Sequence, residues 1–191
     1  MFLTHLVEQV VRVRATPRKK EKVALLAELL QQTRGRETAI AAHYLSGALP
    51  QGRIGIGWRA IQHASGEGPP SGSPPTLSEV DQVFDAIGAS EGAGSAQSRR
   101  EVLRGLMARA GTEERRFLGQ LLVGGLRQGA VEGLVQEAIA KAAGVPPSAL
   151  RRAAMFSGDR FVRLSRLRRL IDDGRLDAEL RWRAPAEAVP A

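Results

Sequence analysis

The chain has 191 residues, 43% of them hydrophobic but only 4% aromatic, with a formal net charge of +8 and no cysteine. That length allows one sizeable core built from Leu, Val, Ile and Ala, which suits helices better than a β-sandwich and excludes a disordered chain. The lack of cysteine excludes disulfides, zinc ribbons and thiol nucleophiles, and the lack of a membrane-length apolar run or a signal-like N-terminus points to a cytoplasmic protein with no membrane partner.

Taken in chain order, Phe2, Leu3, Leu6, Val10 and Val13 recur at helical spacing and predict a first amphipathic helix. Thr16-Pro17 reads as an N-cap followed by proline at the first helical position, opening a second helix to about Thr33 with Val23, Leu26, Leu29 and Leu30 facing inward. A third helix is expected over Arg36 to Ser46, stopped by Gly47. Residues 47–57, with glycine at 47, 52, 55 and 57, form a loop before a short helix from Trp58. Residues 64–75 are rich in Ser, Gly and Pro and read as a flexible linker. Thr76 and Glu79 then make a capping box for a helix to about Ile87, broken by Gly88 to Gly94. Further helices are expected near 95–110, 113–123, 131–143, 147–157 and 160–172, and the one extended candidate is Arg175 to Arg183.

The second half echoes the first. Leu26, Leu29, Glu37, Leu45, Gly47, Leu49, Gln51 and Gly52 recur, always 77 residues later, as Leu103, Leu106, Glu114, Leu122, Gly124, Leu126, Gln128 and Gly129. Two units are too few for a solenoid, so the expected packing is an all-α, pseudo-two-fold-symmetric domain of two similar helix–helix–loop–helix units. The organisation is then 1–63 as the first unit, 64–75 as linker, 76–158 as the second unit packed on the first as one domain, and 159–191 as a basic helix and loose tail. Duplication that merely builds a core is the plainer alternative.

Charge is concentrated at the ends: residues 1–36 carry eight Lys/Arg against three Glu, residues 151–183 carry ten Arg against five Asp/Glu, and residues 37–150 are net −1. Two basic ends favour a polyanion, by Coulomb attraction and counterion release. Arg18, Lys19 and Lys20 stand at the start of a helix, where the macrodipole disfavours cations, so an anionic partner accounts for them better than stability does. Arg151 and Arg152 read the same way. In the repeated loops, Gly47, Gly52, Gly124 and Gly129 can take positive φ and present bare amides, with Ser46, Arg53 and Arg127 adding donors and charge. That chemistry grips phosphates without reading bases. Glycines acting only as turn formers are the competing explanation.

Catalytic signatures are missing. The lysines are Lys19, Lys20, Lys22 and Lys141, and none lies in Lys-x-Asp-Gly, where a lysine attacks ATP. There is no Walker A lysine and no Gly-x-Ser-x-Gly, and His5, His43 and His63 lack metal-ligand spacing. Neither an active site nor a bound metal is expected in this chain.

The run Tyr44-Leu45-Ser46-Gly47-Ala48-Leu49-Pro50-Gln51-Gly52-Arg53-Ile54-Gly55-Ile56-Gly57-Trp58 resembles the first loop of the DNA-binding domain of bacterial ATP-dependent DNA ligases. Phe117 to Ala143, with Gly125-Leu126-Arg127-Gln128-Gly129-Ala130, resembles the second, and the likeness covers roughly residues 1–158. It implies an all-helical, pseudo-symmetric domain that holds nicked duplex DNA by minor-groove backbone contacts, for ligation in replication, repair or recombination. It implies DNA contacts from Ser46, Gly47, Gln51, Gly52, Arg53, Gly55, Gly57 and Trp58, and from Gly124, Arg127, Gln128 and Gly129. The partners would be double-stranded, nicked DNA and a ligase catalytic core in cis or in trans. ATP and Mg would belong to that core; this chain would need no cofactor. Two other readings are a helical protein-interaction adaptor and a helix-turn-helix regulator. The second is disfavoured because no helix carries the Asn, Gln and Arg cluster suited to base edges.

Overall fold

The computed structural model describes residues 1–66, 68–92, 94–126, 132–148 and 150. Among them it contains eight helices and no strand: α1 (Leu3–Ala15), α2 (Lys19–Gln31), α3 (Arg36–Ser46), α4 (Trp58–Ala64), α5 (Leu77–Ala89), α6 (Ser95–Arg109), α7 (Thr112–Leu122) and α8 (Glu132–Ala143). The fold is all-α, as expected. Residues 147, 148 and 150 are helical, with the Leu150 amide bonded to the Pro146 carbonyl, at the start of the helix expected near 147–157. The rest of that helix, the one expected near 160–172, the extended candidate near 175–183 and the basic tail lie outside the described residues.

The core is aliphatic, with Leu3, Leu6, Leu26, Leu30, Leu45, Leu77, Leu103, Met107 and Leu118 fully buried around Tyr44 and Phe84. Removing such side chains from water is the main stabilising contribution, on the order of 1.5–3 kcal/mol for each Leu or Phe. Thr76 caps α5 as read from sequence: its hydroxyl accepts from the Glu79 amide at 3.3 Å while the Glu79 carboxylate accepts from the Thr76 amide at 2.7 Å. With Arg109 also donating to it at 2.8 Å, the Glu79 carboxyl is held at about 2.

Two helix ends differ from the sequence reading. The N-cap of α2 is Arg18, with no side-chain cap, not Thr16. Thr16 is extended, as a residue before proline tends to be. From there its hydroxyl accepts from the Arg18 amide and donates to Glu21, bracing the first turn from outside. Helix α5 runs through Gly88 to Ala89, because Gly88 packs inward: a Cβ there would lie 3.3 Å from Ile54 Cγ2.

The two runs of four helices pack by reciprocal exchange. α1 packs on α2, and α5 on α6; α1 also meets α7, and α5 meets α3. The last helix of each run crosses over, α8 onto α2 and α4 onto α6. These pairs map onto one another when the runs are interchanged, whereas α3 also packs on α8 and on α2. The stretch between the runs carries definite bonds. Arg115 donates to the Gly66 and Gly68 carbonyls, Ser71 bonds Ala108, and Arg109 donates to the Ser73 carbonyl at 2.8 Å.

Candidate nucleic-acid interface

Both repeated helices, α3 and α7, end in the same way. Gly47 has φ +79°; its amide donates to the Tyr44 carbonyl and that of Ala48 to His43. Gly124 has φ +68°; its amide donates to Leu121 and that of Gly125 to Gln120. These paired bonds are Schellman motifs, which need a residue in the left-handed region and so favour glycine. The loop after α3 then turns again over Leu49-Pro50-Gln51-Gly52. The Gly52 amide donates to the Leu49 carbonyl at 3.1 Å, with proline and glycine at the positions such a turn prefers.

The two loops meet. A Cβ on Gly47 would stand 3.2 Å from the Leu126 carbonyl oxygen and 3.5 Å from Leu126 Cβ. Gly47 therefore ends a helix and also lets the second loop approach the first.

The first loop is anchored to one face of α5. The Gln51 side-chain amide donates to Asp81 Oδ1 and Asp85 Oδ1, both at 2.7 Å, and more weakly to the Asp81 carbonyl. Ile54 is buried against Gly88 on the same helix. Arg36, at the start of α3, completes the cluster with two bonds to Asp81 Oδ2 and one to Asp85. Its guanidinium is raised above its usual range, first by the hydrogen bond to Asp81. The neighbouring Tyr44 phenol is pushed well above its usual range, first by burial and then by the Asp81 and Asp85 carboxylates. With Gln51 and Ile54 drawn inward, Gly52, Arg53, Gly55, Gly57 and Trp58 are left exposed.

The sequence-derived candidates thus occupy different positions. Arg53 and Trp58 lie exposed on the loop side. Gln51 has its amide committed inside the protein, and Ser46 donates its hydroxyl to the His43 carbonyl at 2.7 Å. Lys19 pairs with Glu137 of α8 at 2.7 Å, and Arg18 with Glu21 at 2.8 Å; Lys20 is exposed. Hydrogen bonds from Thr16 and then Arg18 lower the Glu21 carboxyl. Arg127, Gln128, Gly129, Arg151 and Arg152 lie outside the described residues. Sequence reasoning missed Arg99. Its Nη1 would lie 3.5 Å from a Cβ on Gly55, so the start of α6 borders the first loop, and exposed Arg100 follows it. Arg99 was hidden in a window of nearly zero net charge, yet it lies 77 residues after Lys22, in the register of the repeat.

Against this geometry the comparisons with known proteins are direct. Residues 59–140 match the family described as DNA ligase N terminus. Over most of its length the chain is similar to bacterial proteins described as probable DNA ligases. It is 48% identical over 160 residues to a probable DNA ligase of Anaeromyxobacter dehalogenans, covering 83% of this chain and 31% of that protein. Probable DNA ligases of Streptomyces griseus and Nocardia farcinica are 42% and 45% identical, each again over 83% of this chain and 30% of its own length. The chain thus spans a little under a third of the length of these relatives. Among its described residues there is no cluster of His, Cys, Asp and Glu able to hold a metal ion, and no helix is long and apolar enough to cross a membrane.

Proposed function

We propose that this chain holds duplex DNA, at a nick, by contacts to backbone phosphates, and so serves ligation carried out by a catalytic core in cis or in trans. The observation that carries the reading is the meeting of the two glycine loops at Gly47 and Leu126. Gly47 and Leu126 bring the first loop against the start of the second, with Arg53 exposed in the first loop and half-exposed Arg99, bonded to the Ser90 carbonyl, beside it. Exposed amides and guanidinium groups of this kind suit phosphate oxygens and carry no base information. ATP and Mg act in the catalytic core, since none of the four lysines here has the setting for nucleotidyl transfer.

An electrophoretic mobility shift with nicked, intact and single-stranded DNA of one sequence, at two salt concentrations, tests this. Nicked duplex should bind most tightly, and log affinity should fall with log salt at about −0.9 per phosphate neutralised. Affinity for duplex that does not change with salt, or an absence of binding, would refute it.

A further inference from the structure

Four large hydrophobic side chains are exposed among the described residues: Phe2, Val11, Trp58 and Val123. Two of them flank the loops. Trp58, 55% exposed, is the first residue after the first loop, and Val123, 44% exposed, is the last before Gly124. Trp58 approaches α7 at Gly119, one helical turn before Val123. A Cβ on Gly119 would lie 4.0 Å from Trp58 Cζ3 and 3.3 Å from Ile61 Cγ2. The glycine leaves room for the indole beside α7, with part of its surface still in water. Core packing does not account for that exposed surface, because Ile61 already fills the inward position of α4 at 3% exposed.

The surroundings are cationic. Arg53 and Arg59 are both exposed within a few residues of Trp58. An apolar surface bordered by guanidinium groups fits a partner whose own apolar and anionic parts alternate at short range. The sugar–phosphate edge of a duplex does this, with the C–H faces of deoxyribose set between phosphates. We infer that Trp58, backed by Gly119 and extended by Val123, is a charge-independent anchor that packs against deoxyribose while the loop arginines take the flanking phosphates. This rests on the proposed DNA-binding function and adds to it a contact that salt does not weaken.

The chain has two tryptophans, so Trp182→Phe leaves Trp58 as its single indole reporter. In the full chain carrying that change, Trp58 emission should shift and become shielded from acrylamide when nicked duplex is added. In the unaltered background, Trp58→Ala should weaken binding by about ten-fold, as expected for losing a partly buried aromatic contact. The slope of log affinity against log salt should stay as in the parent, since no charge is lost. Trp58→Phe should recover most of the affinity. The inference is overturned if the parent binds duplex but Trp58 remains equally open to acrylamide. It is also overturned if Trp58→Ala changes the salt slope and not the affinity, or if only a ligase catalytic fragment shields the indole. A parent chain that binds no duplex would instead overturn the function on which it rests.

Discussion

The side-chain amide of Gln51 donates to Asp81 Oδ1 at 2.7 Å, and Asp81, 1% exposed, is the point at which the first loop is tied to α5. A buried carboxylate is tolerated there because Arg36 and Gln51 together satisfy it. Removing it takes the buried one of two acceptors from both partners and leaves them only the more exposed Asp85. Asp81→Ala should destabilise the fold by roughly 2–3 kcal/mol, since charge-assisted bonds contribute most of the loss. That corresponds to a fall in Tm of about 5–10 °C. A melt within about 1 °C of the parent would show that this cluster does not hold the loop.

Gly47 and Gly52 separate two costs. Both have positive φ, but a Cβ at Gly52 meets nothing within 4 Å, whereas at Gly47 it meets the Leu126 carbonyl at 3.2 Å. Gly52→Ala should cost only the backbone strain, about 1–2 kcal/mol. Gly47→Ala should cost more and should also weaken DNA binding, because it pushes the two loops apart. Denaturant midpoints for the two variants check the order, and equal midpoints would contradict the loop contact.

The Thr76–Glu79 box makes a pH prediction. Its carboxyl is at about 2 in the folded chain against 4.5 for an unperturbed Glu. A carboxyl lowered on folding stabilises the native state above about 4.5, and that contribution fades as the pH falls toward about 2. Glu79→Gln should lower stability most at neutral pH and flatten the acid limb in that window, so that variant and parent converge as the pH falls toward about 2. Thr76→Ala should cost about 1 kcal/mol at neutral pH, the usual value of an N-cap. Thermal unfolding as a function of pH measures both.

Arg53 and Arg127, one in each repeated loop though not at matching positions, test the phosphate reading. Replacing either with Ala should weaken binding alike for all DNA sequences and reduce the salt slope by about one, with the fold intact. If both variants bind as the parent does, neither arginine touches a phosphate.

Much of this architecture is legible in the sequence because it is local. The stop of α3 at Gly47, the capping box of α5 and the repeat of 77 residues all follow from spacing within a single chain segment. What is not legible depends on partners distant in the chain. The pattern at Leu26, Leu29 and Leu30 shows that α2 has an apolar face but cannot say that α8 covers it. Gln51 looks like a loop residue open to a ligand until Asp81 and Asp85 are placed beside it. Lys19 reads as an uncommitted cation until Glu137 arrives from the second half. Arg99 escaped because charge was summed over windows, while the fold sums it over surfaces.

The crossing of α8 onto α2 and of α4 onto α6 also governs when the chain can become stable. As the polypeptide leaves the ribosome, α2 emerges early, yet the helix that shields it is the last of the eight to be made. Its apolar stripe must wait in water or in provisional contacts until roughly a hundred further residues have been made. Such long-range closure slows folding and makes it concerted. Cutting within residues 64–75 would therefore yield two fragments that each lack a wall, and the intact chain should melt in one step.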